Sequence, residues 1–116
     1  MPHLVSISTL IEAPAAPVIR SSGVIVRGWA YTRVKARLSA VRIKNSDGAI
    51  TGGVYGFHRP DVLALFPEAG CANVGWEVRM ILPAGKHRLV IEFCDLAGNW
   101  SAGTEFVIEM RPSLIP

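Results

Sequence analysis

The stretch KHRLVIEFCD, at residues 86–95, decides the fold class of this chain. Its apolar residues Leu89, Ile91 and Phe93 share one phase, and this period of two is typical of a half-buried β-strand. The stretch GVIVRGWAY, at residues 23–31, has the same period. Five further runs of this kind predict strands, at residues 4–11, 38–45, 49–56, 76–82 and 104–110. Seven strands separated by turn signals predict an all-β fold, an antiparallel sandwich.

Turn sequences separate these strands. NSDG at residues 45–48 predicts a hairpin between the third and fourth strands, and LPAG at residues 82–85 similarly joins the fifth to the sixth. The segment RPDVLALFP, at residues 59–67, departs from the strand pattern. Its early proline and acidic residue predict a short helical turn near residues 60–66, which we expect to cross between the sheets.

Length and composition favour one domain. The chain has 116 residues, 50% of them apolar and 18% charged, which excludes a disordered chain and fits a single domain at residues 1–111 with a terminal tail or linker stub at 112–116. No apolar run is long enough to span a membrane as a helix. The opening residues lack the pattern of a secretory signal, so a cytoplasmic location is expected if the chain is complete. Cys71 and Cys94 are then expected to be free thiols.

The apolar phases of the strands predict one core and two binding edges. The first and last strands, at residues 4–11 and 104–110, are expected at or near sheet edges, where another chain can add a strand. The core positions have in common that they fall on the apolar phase: Val24, Val26, Val41, Ile43, Trp76, Val78, Met80, Leu89, Ile91 and Phe93.

The sequence offers no catalytic or metal-binding pattern. Cys94 and His87 lie seven residues apart on one strand, so their side chains point to opposite faces and cannot form a dyad. No paired Cys or His spacing typical of a zinc site occurs. Asp95 and Asn99 share one turn and are expected to cap their own backbone rather than bind Ca²⁺. We therefore expect no enzymatic activity, no metal and no cofactor.

Aromatic residues and an Arg–Asp pair are the candidates for ligand binding. Trp29 is out of phase with the core positions of its strand, and Trp100 follows a turn, so both rings are candidates for stacking on a sugar together with Tyr55. In the alternative interpretation, both Trp side chains pack over an end of the sandwich. Arg59 and Asp61 offer a donor fork and an acceptor beside Tyr55. In the alternative interpretation, this pair only fixes the helical segment.

Positive charge is concentrated in the first part of the chain. Residues 1–46 carry seven Lys and Arg side chains against one acidic side chain. In WAYTRVKAR, at residues 29–37, the basic residues Arg33, Lys35 and Arg37 follow two aromatic ones, which suits contact with an anionic polymer. Nucleic acid is disfavoured because no known recognition motif accompanies them. The alternative is a solvated surface that protects sheet edges.

Five motifs occur in order: GWA at 28–30, YGFHRPDV at 55–62, FP at 66–67, GW at 75–76 and GKHRLVIEFCDLAGN at 85–99. In this order they resemble bacterial immunoglobulin-like modules, over about residues 22–110. The resemblance implies a seven-stranded immunoglobulin-like sandwich without catalytic residues, an accessory module in larger bacterial proteins, many of them cell-surface or carbohydrate-active. The strand containing Trp29 has no cysteine, so the inter-sheet disulfide of antibody domains cannot form and Trp76 is expected to fill the core.

We therefore expect a noncatalytic immunoglobulin-like module for protein–protein interaction, scaffolding or spacing, whose partner is another protein or a second copy. The first alternative is a carbohydrate-binding module that uses Trp29, Tyr55 and Trp100. The second is a basic loop that binds an anionic polymer through Arg33, Lys35 and Arg37.

Overall fold

The structure is a computed structural model that describes residues 7–32 and 37–112. Within these residues it contains nine strands in two sheets, so the all-β prediction is confirmed and the prediction of seven strands is wrong. The strands are β1 (Ile7–Ala13), β2 (Val18–Ile19), β3 (Gly23–Thr32), β4 (Leu38–Asn45), β5 (Ile50–Gly52), β6 (Val54–His58), β7 (Asn73–Ile81), β8 (Gly85–Asp95) and β9 (Trp100–Met110). The helix α1 (Pro60–Leu65) lies where a helical turn was predicted, and a 3₁₀ turn (Pro67–Ala69) follows it.

The strands form a four-stranded sheet in the order β1-β3-β7-β6 and a five-stranded sheet in the order β2-β9-β8-β4-β5. All pairs are antiparallel except β2 with β9. The predicted β4–β5 hairpin is confirmed, but LPAG connects β7 to β8, which belong to different sheets. A turn motif specifies a reversal of the chain, and it does not specify whether the two strands pair.

The predicted fourth strand is split at Gly53 into β5 and β6, which belong to different sheets. The Gly53 backbone N–H donates to the carbonyl oxygen of Val41, at 3.0 Å. A β-carbon at Gly53 would overlap the carbonyl oxygen of Glu77 and lie 2.5 Å from the Val78 side chain. Only glycine therefore lets the chain change sheets at this point.

The main core lies between the two sheets, and all ten predicted core residues are buried in it. Trp76 and Phe93 contact edge to face, with ring centroids 5.8 Å apart. Phe93 has no exposed surface, and full burial of such a side chain contributes about 1.5–3 kcal/mol. The sandwich therefore rests on the alternation that the sequence displays.

A second, smaller cluster covers one end of the outer face of the four-stranded sheet. It joins Trp29 and Tyr31 of β3 and Val74 of β7 to Val62 and Phe66 from the helical segment. This segment links β6 to β7 within one sheet, so the expectation that it crosses between the sheets is wrong. The helix α1 has six residues, and no helix in the described part of the chain is long and apolar enough to cross a membrane.

Candidate functional site

Glu12, Arg59 and Asp61 form a charged cluster that we call the Arg59 clamp. The Arg59 Nη1 and Nη2 groups donate to the two carboxylate oxygens of Glu12, at 2.5 and 3.0 Å. The Arg59 Nε and Nη2 groups donate to the two oxygens of Asp61, at 3.0 and 2.8 Å. One guanidinium thus holds two carboxylates from segments 47 and 2 residues away in the chain.

Two irregular positions in the sheet make room for the clamp. Ile11 pairs with Gly28 and Ala13 pairs with Arg27, so Glu12 is the extra residue of a β-bulge in β1. A β-carbon at Gly28 would overlap the carbonyl oxygen of Leu10 on that strand. Its absence lets β1 approach β3 closely at the bulge.

The second position is Gly75 on β7. A β-carbon there would lie 3.0 Å from Cγ of Arg59 and 2.8 Å from Cβ of Phe57. The missing side chain leaves space for the aliphatic stem of Arg59 to cross the sheet. The glycines of the GWA and GW motifs therefore both serve the clamp.

The electrostatics of the clamp favour the charged forms. Hydrogen bonds from Arg59 hold the pKa of Glu12 and that of Asp61 below their usual ranges, although burial acts in the opposite direction. The two carboxylates raise the pKa of Arg59 in turn. Because its Nε, Nη1 and Nη2 groups are all engaged, the donor fork predicted for a ligand is filled by the protein itself. This arrangement favours the interpretation that Arg59 and Asp61 fix the helical segment.

Trp29 points away from the main core, in agreement with its phase, but it is covered. The helical segment places Phe66 over it, with ring centroids 5.1 Å apart, and Tyr31 stacks at 5.7 Å. Only 9% of Trp29 is exposed. Neither face of the ring is open to a sugar.

Tyr55 connects the edge strand β6 to β3, across the strand β7 that lies between them. Its hydroxyl donates to the carbonyl oxygen of Ala30, at 2.5 Å, and its ring meets Phe93 edge to face. Burial raises the pKa of the Tyr55 hydroxyl, so this group stays protonated and keeps donating. The side chain is half-buried and contributes part of its surface to a cleft described below.

Trp100 lies on the outer face of the five-stranded sheet, with 38% of its surface exposed. The Arg42 guanidinium carbon sits 3.9 Å from the centre of the indole ring, a cation–π contact. Arg42 Nε also donates to Glu92, at 2.7 Å. Sequence reasoning missed Arg42 and Glu92, although the alternation of β4 and β8 could have indicated that both face outward.

A cleft of about 640 Å³ opens at one end of the sandwich. We call it the end cleft; its lining includes Tyr31, Arg37, Tyr55, Gly70 and Leu96. The carbonyl oxygen of Arg37 accepts a hydrogen bond from the Leu96 N–H, at 3.1 Å, which fixes the start of β4 against the β8–β9 turn. The cleft brings together two residues, Arg37 and Tyr55, that the sequence analysis had assigned to separate hypotheses.

The other predicted site residues do not converge. Trp29 and Trp100 lie on the outer faces of different sheets, so they do not form one aromatic platform with Tyr55. Arg33 and Lys35 lie outside the described residues.

Polar groups with the chemistry to hold an ion or to react are either hydrogen-bonded within the protein or far from one another in the described residues. The Asp95 carboxylate accepts from the backbone N–H groups of Ala97 and Asn99, at 2.9 and 3.0 Å, and these bonds lower its pKa. Cys71 and Cys94 are free thiols. Within residues 7–32 and 37–112, no group of three or more His, Cys, Asp or Glu side chains could hold a metal ion.

Comparison with known proteins does not assign the chain to a family. No family model matches the sequence, and a search of curated proteins finds no match.

Proposed function

We propose that this chain is a noncatalytic immunoglobulin-like module that acts by associating with a second copy of itself. Two features support the immunoglobulin-like assignment. The order β1-β3-β7-β6 corresponds to strands A, B, E and D of that fold, and β9-β8-β4 corresponds to G, F and C. The motif residues Gly28, Arg59 and Gly75 serve the clamp, so the most distinctive motif positions stabilise a scaffold.

The outer face of the five-stranded sheet is the proposed contact surface. It is formed by outward-facing residues of β4, β5, β8 and β9, and it displays Trp100, Ile50 and Val107, which are 38%, 53% and 49% exposed. Trp and Arg are enriched at the energetic centres of protein interfaces. The contact between Trp100 and Arg42 supplies such a pair.

The single observation that carries the proposal is one row across this face. Lys44 pairs with Val90, and Val90 pairs with Glu105, so a cation, an apolar residue and an anion lie side by side on neighbouring strands. A two-fold axis parallel to β8 packs the outer faces of two copies against each other. The order of the three residues in the row is then opposite in the two copies. Lys44 then faces the second copy's Glu105, and Val90 faces its equivalent. The row is self-complementary, which is what an isologous dimer requires.

The twist between packed sheets preserves this match. Facing sheets cross at about 30°. At a lateral distance of one strand, roughly 4.8 Å, this angle displaces a side chain by less than the rise of one residue, about 3.4 Å. The long Lys44 side chain spans that offset and reaches Glu105, whose carboxylate also pairs with Arg88 of its own chain, at 3.0 Å.

A charge exchange tests the proposal. Sedimentation velocity over a concentration series should show a dimer for the wild type and weaker association at high salt. Lys44→Glu and Glu105→Lys should each weaken dimerisation by about tenfold or more, because each places like charges opposite each other twice in the dimer. The double variant should restore it. The matched control is Arg79→Glu, whose parent side chain is 75% exposed on the other sheet, and it should leave dimerisation unchanged.

A wild type that stays monomeric at all concentrations would refute the second copy as partner. If the double variant does not recover dimerisation, the proposed contact between Lys44 and the second copy's Glu105 is refuted.

A further inference from the structure

The end cleft has the size of a small-molecule binding site. Its volume of about 640 Å³ lies within the roughly 300–1,000 Å³ range of ligand pockets. It lies between the start of β4 on one sheet and β6 with the 3₁₀ turn on the other, apart from the proposed dimer face.

Irregular backbone on three sides holds the cleft open. Gly56 interrupts the pairing of β6 with β7 and has a φ of +117°, and Gly70 ends the 3₁₀ turn with a φ of +76°. On the opposite wall, Ser39 is the extra residue of a bulge in β4, and its hydroxyl donates to the carbonyl oxygens of Cys94 and Asp95. Bulges of this kind are over-represented beside binding sites, where they redirect the walls.

The charged side chains in the cleft favour a ligand with an anionic group. Among the described residues that line it, Arg37 is the one cation and Glu68 the one carboxylate. The Arg37 side chain is exposed, and no described residue forms an ion pair or a hydrogen bond with its guanidinium. Glu68 accepts a hydrogen bond from the Tyr31 hydroxyl, at 3.0 Å. An anionic group therefore has a docking point at Arg37.

The remaining lining combines the polar side chains of Thr32, Ser39 and Asn73 with apolar and aromatic ones. Leu96 is 73% exposed at the rim, and Leu38, Val74 and the Tyr55 ring line the interior. We infer that the end cleft binds an organic carboxylate with an apolar body, whose carboxylate pairs with Arg37 and whose body contacts Tyr55 and Leu96. This site does not depend on dimerisation.

Two-dimensional ¹H–¹⁵N NMR titration tests the inference with indole-3-acetate and its neutral analogue, indole-3-acetamide. The acid should shift the amide signals of Gly56, Gly70 and Leu96 saturably. The amide should bind about tenfold or more weakly, because it lacks the charge-assisted hydrogen bonds to Arg37.

Three variants complete the test. Arg37→Gln should reduce the affinity for the acid to that of the amide. Leu96→Glu should reduce the affinity for the acid more than the affinity for the amide. The control Arg79→Gln, on the outer face of the four-stranded sheet, should bind like the wild type. All three parent side chains are exposed, so the variants should keep the native spectrum.

The inference is overturned if the acid causes no shift well into the millimolar range, or if its shifts map outside the cleft. It is also overturned if acid and amide bind equally, or if Arg37→Gln and Arg79→Gln have the same effect.

Discussion

Gly28→Ala should detach the edge strand β1 from its sheet. The new β-carbon would overlap the carbonyl oxygen of Leu10 and lie 3.0 Å from the Leu10 carbonyl carbon and 3.2 Å from Cα of Ile11. These are backbone atoms, which cannot rotate away as the end of a side chain can. The strand must move as a whole, so its hydrogen bonds to β3 lengthen and Glu12 withdraws from Arg59.

The expected cost follows from these losses. Overpacking that displaces backbone costs about 1–3 kcal/mol. Loss of the partly exposed bidentate pair between Glu12 and Arg59 adds about 0.5–1 kcal/mol. We therefore expect Gly28→Ala to lower the free energy of unfolding by about 3 kcal/mol.

Gly23→Ala is the matched control on the same strand. A β-carbon at Gly23 meets only the carbonyl oxygen of Met80, at 3.7 Å, which is an ordinary contact. This variant should be neutral or stabilising by about 0.5 kcal/mol, because alanine has less conformational freedom to lose on folding. Urea unfolding of both variants measures the difference. Free energies within about 0.5 kcal/mol of each other would refute the argument from the bulge.

Other expected outcomes concern the core, the Tyr55 hydrogen bond and the clamp. Phe93→Ala should lower the free energy of unfolding by about 3–5 kcal/mol in urea, and a loss below about 1 kcal/mol would contradict its central place in the core. Tyr55→Phe should cost about 1 kcal/mol in the same assay through the lost hydrogen bond to β3, and no measurable loss would contradict that bond. Since Arg59 lowers the pKa values of Glu12 and Asp61, the unfolded chain binds more protons in acid. The clamp's contribution should be present above the ordinary carboxyl pKa of about 4 and should be lost as the pH falls below it. Arg59→Gln should flatten this acid limb in unfolding curves measured from neutral to acid pH, and an unchanged limb would assign the pH dependence to other groups.

The strands of the core were predictable because burial on one face imposes a period of two. Residues such as Val41 and Ile91 show that period, and both are buried. Trp29 was correctly predicted to point away from the core. Its phase contains no information about what covers the outer face, and the cover comes from Phe66, 37 residues later in the sequence.

The clamp could not be predicted for the same reason. The donor–acceptor pair of Arg59 and Asp61 is local and visible in the sequence, but the partner that completes it, Glu12, is 47 residues away. The position of Glu12 depends on a bulge, and a bulge can be recognised only after the register of β1 against β3 is known. The end cleft likewise depends on Arg37 and Tyr55 meeting across two sheets.

The change of sheet at Gly53 also determines where this molecule tolerates foreign sequence. A single residue connects β5 to β6, so neither sheet can loosen along that edge without pulling on the other, and the two should open as one cooperative unit. A tag, a fluorophore attachment site or new chain termini placed there would separate the sheets. The tip at residues 46–48 is exposed and extends beyond paired strands, so it can accept an insertion while the rest of the domain keeps its shape.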